Sequence, residues 1–153
     1  MNKKVMKPIH AFEMLDAIEK EVDPVNKTIL LQEYGVKVPL NFILSLNFNE
    51  YVQLDLPEGM PPIDVKFMDQ QTHPDFMGLL ASHLPKLRHC TTKSDLKKFK
   101  KEQLFMDVLI NCPLKDAEIL CSAKDKALEE LYPSISAEFV AKVFPTYVQR
   151  ISK

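Results

Sequence analysis

Apolar residues recur at helical spacing along most of the chain. Phe12, Leu15, Ile18 and Val22 share one face of IHAFEMLDAIEKEV, and with Pro8 in the position of a first helical turn they predict a helix ending near Asp23. Asp23 and Pro24 then supply a cap and a first-turn proline for a second helix, apolar at Ile29, Leu30 and Tyr34 and stopped by Gly35. The two are expected to pair as a hairpin. After Pro39, the positions Leu40, Ile43, Leu44 and Leu46 predict a short helix too apolar to be left in water.

From Phe48 to Pro74 the period changes. Residues 51–56 (YVQLDL) and 63–67 (IDVKF) alternate apolar and polar, the period-two mark of extended chain, with Pro57, Gly59, Pro61 and Pro62 between them. A proline-rich hairpin or extended arm fits that pattern. Residues 48–75 carry Glu50, Asp55, Glu58, Asp64, Asp69 and Asp75 against the single lysine Lys66, so this middle segment is acidic.

Helical spacing then returns. Pro74 opens a fourth helix through Phe76, Leu79, Leu80 and Leu84 that is interrupted near Pro85, and residues 87–93 (LRHCTTK) read as a connector. Ser94 is the expected cap of a fifth helix bearing Leu96, Phe99, Phe105, Val108 and Leu109; Asn111, Cys112 and Pro113 end it. A sixth turns Leu114, Ala117, Leu120 and Cys121 inward. The last, SISAEFVAKVF, takes Ser134 as its cap, presents Ile135, Phe139, Val140, Val143 and Phe144, and stops at Pro145. The fold class predicted is mainly α: a compact bundle of about six to seven short helices with an extended, Pro-rich acidic arm or hairpin between the N- and C-terminal helices. Residues 1–153 read as a single domain, made of N-terminal helices (1–47), the acidic segment (48–73) and a C-terminal helical part (74–153).

Composition sharpens this picture. The 153 residues suffice to bury a core without metal or disulfide support; 46% are hydrophobic and nine are Phe, while the 27% that are charged leave no apolar run of membrane-spanning length. No membrane association is expected. Three glycines against eleven prolines provide few positions for phosphate-cradling loops, which disfavours a nucleotide-binding fold and any cofactor of that kind. The basic start MNKKVMK lacks the apolar core of a secretory signal and reads as a frayed end, and an odd number of cysteines (Cys90, Cys112, Cys121) without staple-like spacing suggests a reducing, cytoplasmic setting.

The net charge of -1 gives no global reason to bind nucleic acid, but charge is segregated along the chain. Lys93, Lys97, Lys98, Lys100 and Lys101 stand against Asp95 alone, and positions 93, 97 and 101 would share a helix face able to track phosphates or an acidic partner, with Lys124 and Lys126 adding to it. Only two arginines, Arg88 and Arg150, are present, and nearby only Gln103 suits base readout, so a sequence-specific reader is disfavoured. The competing reading is a solvated face, or one paired with the acidic segment. Within that segment Leu56, Pro57, Glu58, Met60, Ile63 and Phe67 form a candidate partner-docking arm, with burial against the chain's own helices as the alternative.

Catalytic chemistry finds no pattern. His73 and His89 with Ser82 or Cys90 lack any local signature of a nucleophile and base, and His83, His89 and Cys90, even with His73, Cys112 or Cys121 added, do not repeat at zinc-site spacing. No catalytic residue, metal or cofactor is assigned, and a non-enzymatic protein is expected.

Five motifs in order carry a resemblance: residues 56–62 (LPEGMPP), 101–109 (KEQLFMDVL), 113–120 (PLKDAEIL), 123–126 (AKDK) and 135–145 (ISAEFVAKVFP). Together they resemble an uncharacterised family of small proteins of T4-like tailed bacteriophages. That resemblance implies a phage protein made in the bacterial cytoplasm and assigns no catalytic residue. The functional expectation is an accessory or regulatory protein that binds a host or phage protein through a charge-polarised helical surface. The alternatives are a nucleic-acid-binding accessory protein using the 93–101 lysines and, more weakly, a virion structural protein.

Overall fold

A computed structural model describes residues 10–61 and 79–150. Among these, seven α-helices follow one another: α1 (Ala11–Lys20), α2 (Pro24–Gly35), α3 (Leu40–Phe48), α4 (Leu80–His83), α5 (Lys98–Ile110), α6 (Leu114–Lys124) and α7 (Ala137–Val143). Short 3-10 helices at Leu84–Cys90, Leu128–Glu130 and Pro145–Tyr147 join or extend them. The mainly helical bundle anticipated from periodicity is the fold observed. Its centre is α6, which packs against α1, α3 and α5. That position explains why α6 buries residues on nearly every side, including Ala117, Ile119, Leu120, Cys121 and Ala123. Leu40, Ile43, Leu44 and Leu46 of α3 are fully buried against it, as the apolar pattern required.

The charged end of α6 is buried as well. Asp116 accepts hydrogen bonds from the backbone N–H groups of Ala11 (3.2 Å) and Phe12 (2.8 Å), so a side chain of α6 caps the first turn of α1. A helix start leaves four N–H groups without intrahelical partners, and the carboxylate satisfies two of them. Burial, working against those donors and the nearby His10 ring, raises the Asp116 carboxyl to about 6.

Several boundaries differ from the sequence expectation. The first helix ends at Lys20 because Glu21 adopts extended backbone; Val22 therefore leaves the helical face and is 92% exposed. In α2, Pro24 occupies the first turn as expected, but Leu31 and Gly35 are the buried positions and Ile29 points outward. Ser94 does not cap α5. Its hydroxyl accepts from the Leu96 N–H, closing a turn before the helix, and Lys97 is the capping residue. At the last helix Ile135 must first reach the core, so the helix starts two residues later and Ser136, not Ser134, accepts from the Phe139 N–H. Ser134 is instead held by Glu19 and Lys27. Pro85 does not end the helical path: the chain tightens into the 3-10 helix through Cys90, where a connector was expected to begin at Leu87.

Of the extended segment, residues 62–73 lie outside the described residues, as do Pro74 and Phe76. The expected hairpin partner, residues 63–67, is therefore not placed. The first extended run pairs elsewhere: Leu54 forms an antiparallel bridge with Thr91, and Asn49 a parallel bridge with Gln149.

Gly35 marks a close approach between elements. The α2 helix closes on the Phe144–Tyr147 ring stack there, with the Tyr147 hydroxyl donating to the Gly35 carbonyl at 2.8 Å. A Cβ on residue 35 would stand 2.3 Å from Phe144 Cε2 and 2.8 Å from Cζ. Gly35→Ala is therefore expected to displace that stack and destabilise the fold by about 2 kcal/mol, within the usual range for overpacking, as read from a urea melt.

Candidate functional site

The seven lysines singled out by spacing divide into two groups. Lys101 is 2% exposed: its ammonium donates to Asp55 Oδ2 and to the Thr91 carbonyl, both at 2.9 Å. Lys124 donates to the Pro57 carbonyl and to Asp125 Oδ1, both at 2.7 Å, and sits 5.9 Å from the Phe105 ring centre. Lys126 donates to the carbonyls of Leu46, Asn49 (3.2 Å) and Val52 (2.8 Å), and burial lowers its pKa. None of these three presents its charge to a phosphate backbone. Lys93, Lys97, Lys98 and Lys100 remain exposed, around the start of α5. The shared face inferred for positions 93, 97 and 101 does not form, because α5 begins only at Lys98.

These three lysines, Lys101 and Lys124 buried and Lys126 half-buried, have a common task. The acidic segment lies across them: Asp55 is held by Lys101 and approached by Lys98 at 3.8 Å, and the Lys101 hydrogen bond leads the causes that lower its pKa. The Asp55 N–H also donates to the Cys90 carbonyl at 2.7 Å. Further along, Asp125 Oδ2 accepts from the Gly59 N–H at 2.9 Å, and Gly59 takes a φ of +84°, which favours glycine. Residues 55–59 are thus fastened at one end by α5 and at the other by the end of α6.

Fastened in this way, the arm stands as a wall beside α5, with a cleft of about 400 Å³ between them. Leu56, Pro57, Met60 and Pro61 line the arm side, and Phe105 and Met106 the helix side. Glu58 and Glu102 line it too and are exposed, giving an apolar cleft a carboxylate lip. A second, shallower depression follows α5 past Phe99, Gln103, Met106 and Ile110 and shares Glu102 and Met106 with the first. Of the proposed docking arm, Leu56, Pro57, Glu58 and Met60 line the cleft; Ile63 and Phe67 lie outside the described residues. Sequence reading missed Glu102 and Met106. Part of the signal was available, since Phe99, Met106 and Ile110 recur at i, i+7 and i+11 as a second apolar stripe, interrupted by Gln103, on a helix whose first stripe is core.

The remaining candidate chemistry is dispersed. Cys90, Cys112 and Cys121 are buried and unpaired, and no group of three or more possible metal ligands gathers among the described residues. Burial raises all three thiols, Cys121 to about 12. Alkylation of the native protein by iodoacetamide at pH 8 is expected to be slower by at least about tenfold than in urea, because thiolate and access are both suppressed; mass spectrometry of timed aliquots reads this. His83 stands beside Lys86, and its pKa is lowered by burial and then by that ammonium. His89 and Ser82 are exposed, and His73 lies outside the described residues. No helix among the described residues is long and apolar enough to cross a membrane.

The arrangement defines a small all-helical protein with an apolar cleft beside a basic helix end. It belongs to a family of unknown function, DUF6433, whose model matches residues 14–130. The match takes in α1–α3 as well as the cleft and α6, and it ends before α7. No curated protein and no solved structure matches the chain.

Proposed function

We propose that this chain is a non-enzymatic accessory protein that binds a protein partner, seating an apolar segment of it in the cleft between residues 56–61 and α5. The observation that carries this reading is the cleft itself. Its apolar walls are held in place by charge-assisted hydrogen bonds that Lys101 and Lys124 donate and Asp125 accepts, so little ordering is required on binding. Methionines at positions 60 and 106 suit an adaptable contact. The carboxylates of Glu58 and Glu102 favour a partner segment with a basic residue beside its apolar anchor. The resemblance to small proteins of T4-like phages makes a host or phage protein in the bacterial cytoplasm the natural partner, and a regulatory role the natural use.

The test is affinity capture from phage-infected bacteria with wild type and Met106→Glu in parallel. A specific polypeptide retained by the wild type and lost by the variant is expected. Identical recoveries from both would remove the cleft from the proposal.

A second reading rests on Phe99, which is 52% exposed with the Lys100 ammonium 5.4 Å from its ring centre. An exposed ring among Lys93, Lys97, Lys98 and Lys100 is a platform on which single-stranded nucleic acid stacks. Mobility shifts at low salt decide it. Binding that weakens at least about tenfold in Lys97→Glu/Lys100→Glu, and also in Phe99→Ala, supports stacking on this platform; no shift with the wild type ends it.

A further inference from the structure

The cleft and the shallower depression beside it share Glu102 and Met106, so together they form one continuous surface along α5. Phe99, Gln103, Met106 and Ile110 of that surface lie within about 60° of one another on the helix, on the side away from the buried Lys101, Phe105, Val108 and Leu109. From Phe99 to Ile110 the surface runs about 16 Å, roughly three helical turns. Charge distinguishes it from an ordinary exposed face. Glu58 on the arm and Glu102 on α5 stand on opposite walls of the cleft, both exposed, and among the described residues neither enters an ion pair or a side-chain hydrogen bond. By contrast Asp55, Asp107 and Asp125 are each held by a lysine of the chain itself, Lys101, Lys86 and Lys124. Two carboxylates beside an apolar cleft are thus left for a cation from outside.

We infer that the occupant of this surface is a basic amphipathic helix of the partner, lying along α5. It seats one apolar anchor in the cleft and a second in the depression, and places a lysine or arginine between Glu58 and Glu102. This deepens the docking reading of the cleft given above and rests on it. Shape selects a helix over an extended segment. A partner strand would need a regular row of backbone donors and acceptors on the arm, but Pro57 and Pro61 have no N–H, the Gly59 N–H is taken by Asp125 and the Pro57 carbonyl by Lys124. The Gly59 φ of +84° also turns the arm out of an extended path. The α5 side offers what a packed helix requires, a straight face three turns long with Phe99 52% exposed on it and Met106 and Ile110 half-buried. Charge selects a basic helix, because a carboxylate on each wall would be desolvated without compensation by an uncharged or acidic one.

A displayed library of random peptides of about 16 residues, selected on the wild type and depleted on Met106→Glu, tests the inference. Enriched sequences are expected to carry apolar residues at i, i+3 or i+4 and i+7, with Lys or Arg beside them. A synthetic peptide of the enriched sequence is expected to gain helical circular dichroism on binding. It should bind Glu58→Lys/Glu102→Lys at least about tenfold more weakly than wild type, with the variant's own circular dichroism unchanged because both positions are exposed and unpaired. Enriched peptides that depend on Met106 but are proline-rich, alternate with period two or are acidic would overturn the basic helix and leave the cleft as a docking site. So would a peptide whose binding is indifferent to the double charge reversal. A library that yields no binder dependent on Met106 removes the docking reading of the cleft, and this inference with it.

Discussion

Replacing Lys126 by methionine is expected to lower the unfolding free energy by about 3 kcal/mol, a loss comparable to removing a buried charged hydrogen-bond partner. Methionine keeps the apolar stem and removes the ammonium, so the carbonyls of Leu46, Asn49 and Val52 all lose their donor. Leu46 lies in the last turn of α3, where carbonyls lack intrahelical partners and the helix end is partially negative, so a cation there does two jobs. The backbone at Lys126 has a φ of +60°, a conformation that costs a non-glycine residue roughly 1 kcal/mol. Lys126→Gly should therefore relieve that strain while losing the same hydrogen bonds, and its cost should be the smaller, about 2 kcal/mol. Thermal melts read both; about 3 kcal/mol corresponds to a midpoint shift of roughly 6–12 °C in a chain of this size. A Lys126→Met protein as stable as wild type would show that these hydrogen bonds contribute nothing net.

The second large effect is at Asp116. Asp116→Ala leaves the Ala11 and Phe12 N–H groups without their acceptor, and about 3 kcal/mol of stability should go with it, read from chemical denaturation. The wild type should also carry a pH signature. Asp116 has its carboxyl raised by burial to about 6 from the 3.8 of a free aspartate, so the folded state holds this proton more tightly than the unfolded chain does. Its contribution is then complete below pH 3.8 and is lost as pH rises towards 6, by up to 2–3 kcal/mol in order of magnitude. Asp116→Asn removes the titration, so the difference between wild type and variant should change across pH 4–6 and be flat above about pH 7. A difference independent of pH across that range would mean that the two N–H donors, not burial, set the carboxyl.

Helix number and order were legible in the pattern because most helices here bury one face, and α3, apolar nearly all round, announced its own burial. What the pattern could not tell was where each helix begins. Ser94 and Ser134 have the right chemistry for caps, but the hydroxyl of one closes a local turn and that of the other is drawn to Glu19 and Lys27, contacts set by tertiary position. Charge was legible only as segregation. That Lys101 faces Asp55 while Lys97 faces water depends on which residues fall inside α5, and a one-turn shift of its start separates a cleft-forming lysine from a solvent-facing one. The cleft was half visible: the arm residues Leu56 and Met60 were singled out, whereas Met106 went unnoticed because a second apolar stripe on a helix looks like core. Composition could not distinguish those outcomes, since the same apolar residues would serve a monomer's interior or a surface.

The cap on α1 also bears on the order in which the protein can be made. Its donor groups at Ala11 and Phe12 leave the ribosome well before Asp116, 105 residues behind Ala11, does. At 5–20 residues per second that is an interval of roughly 5–20 s. Throughout it α1 has only the local cap of His10 and Glu13, and α3 lacks the lysine that later gathers the carbonyls at its end. Until α6 has emerged, the N-terminal helices are without these two ties from the C-terminal part of the chain, and their packing is expected to consolidate only after it.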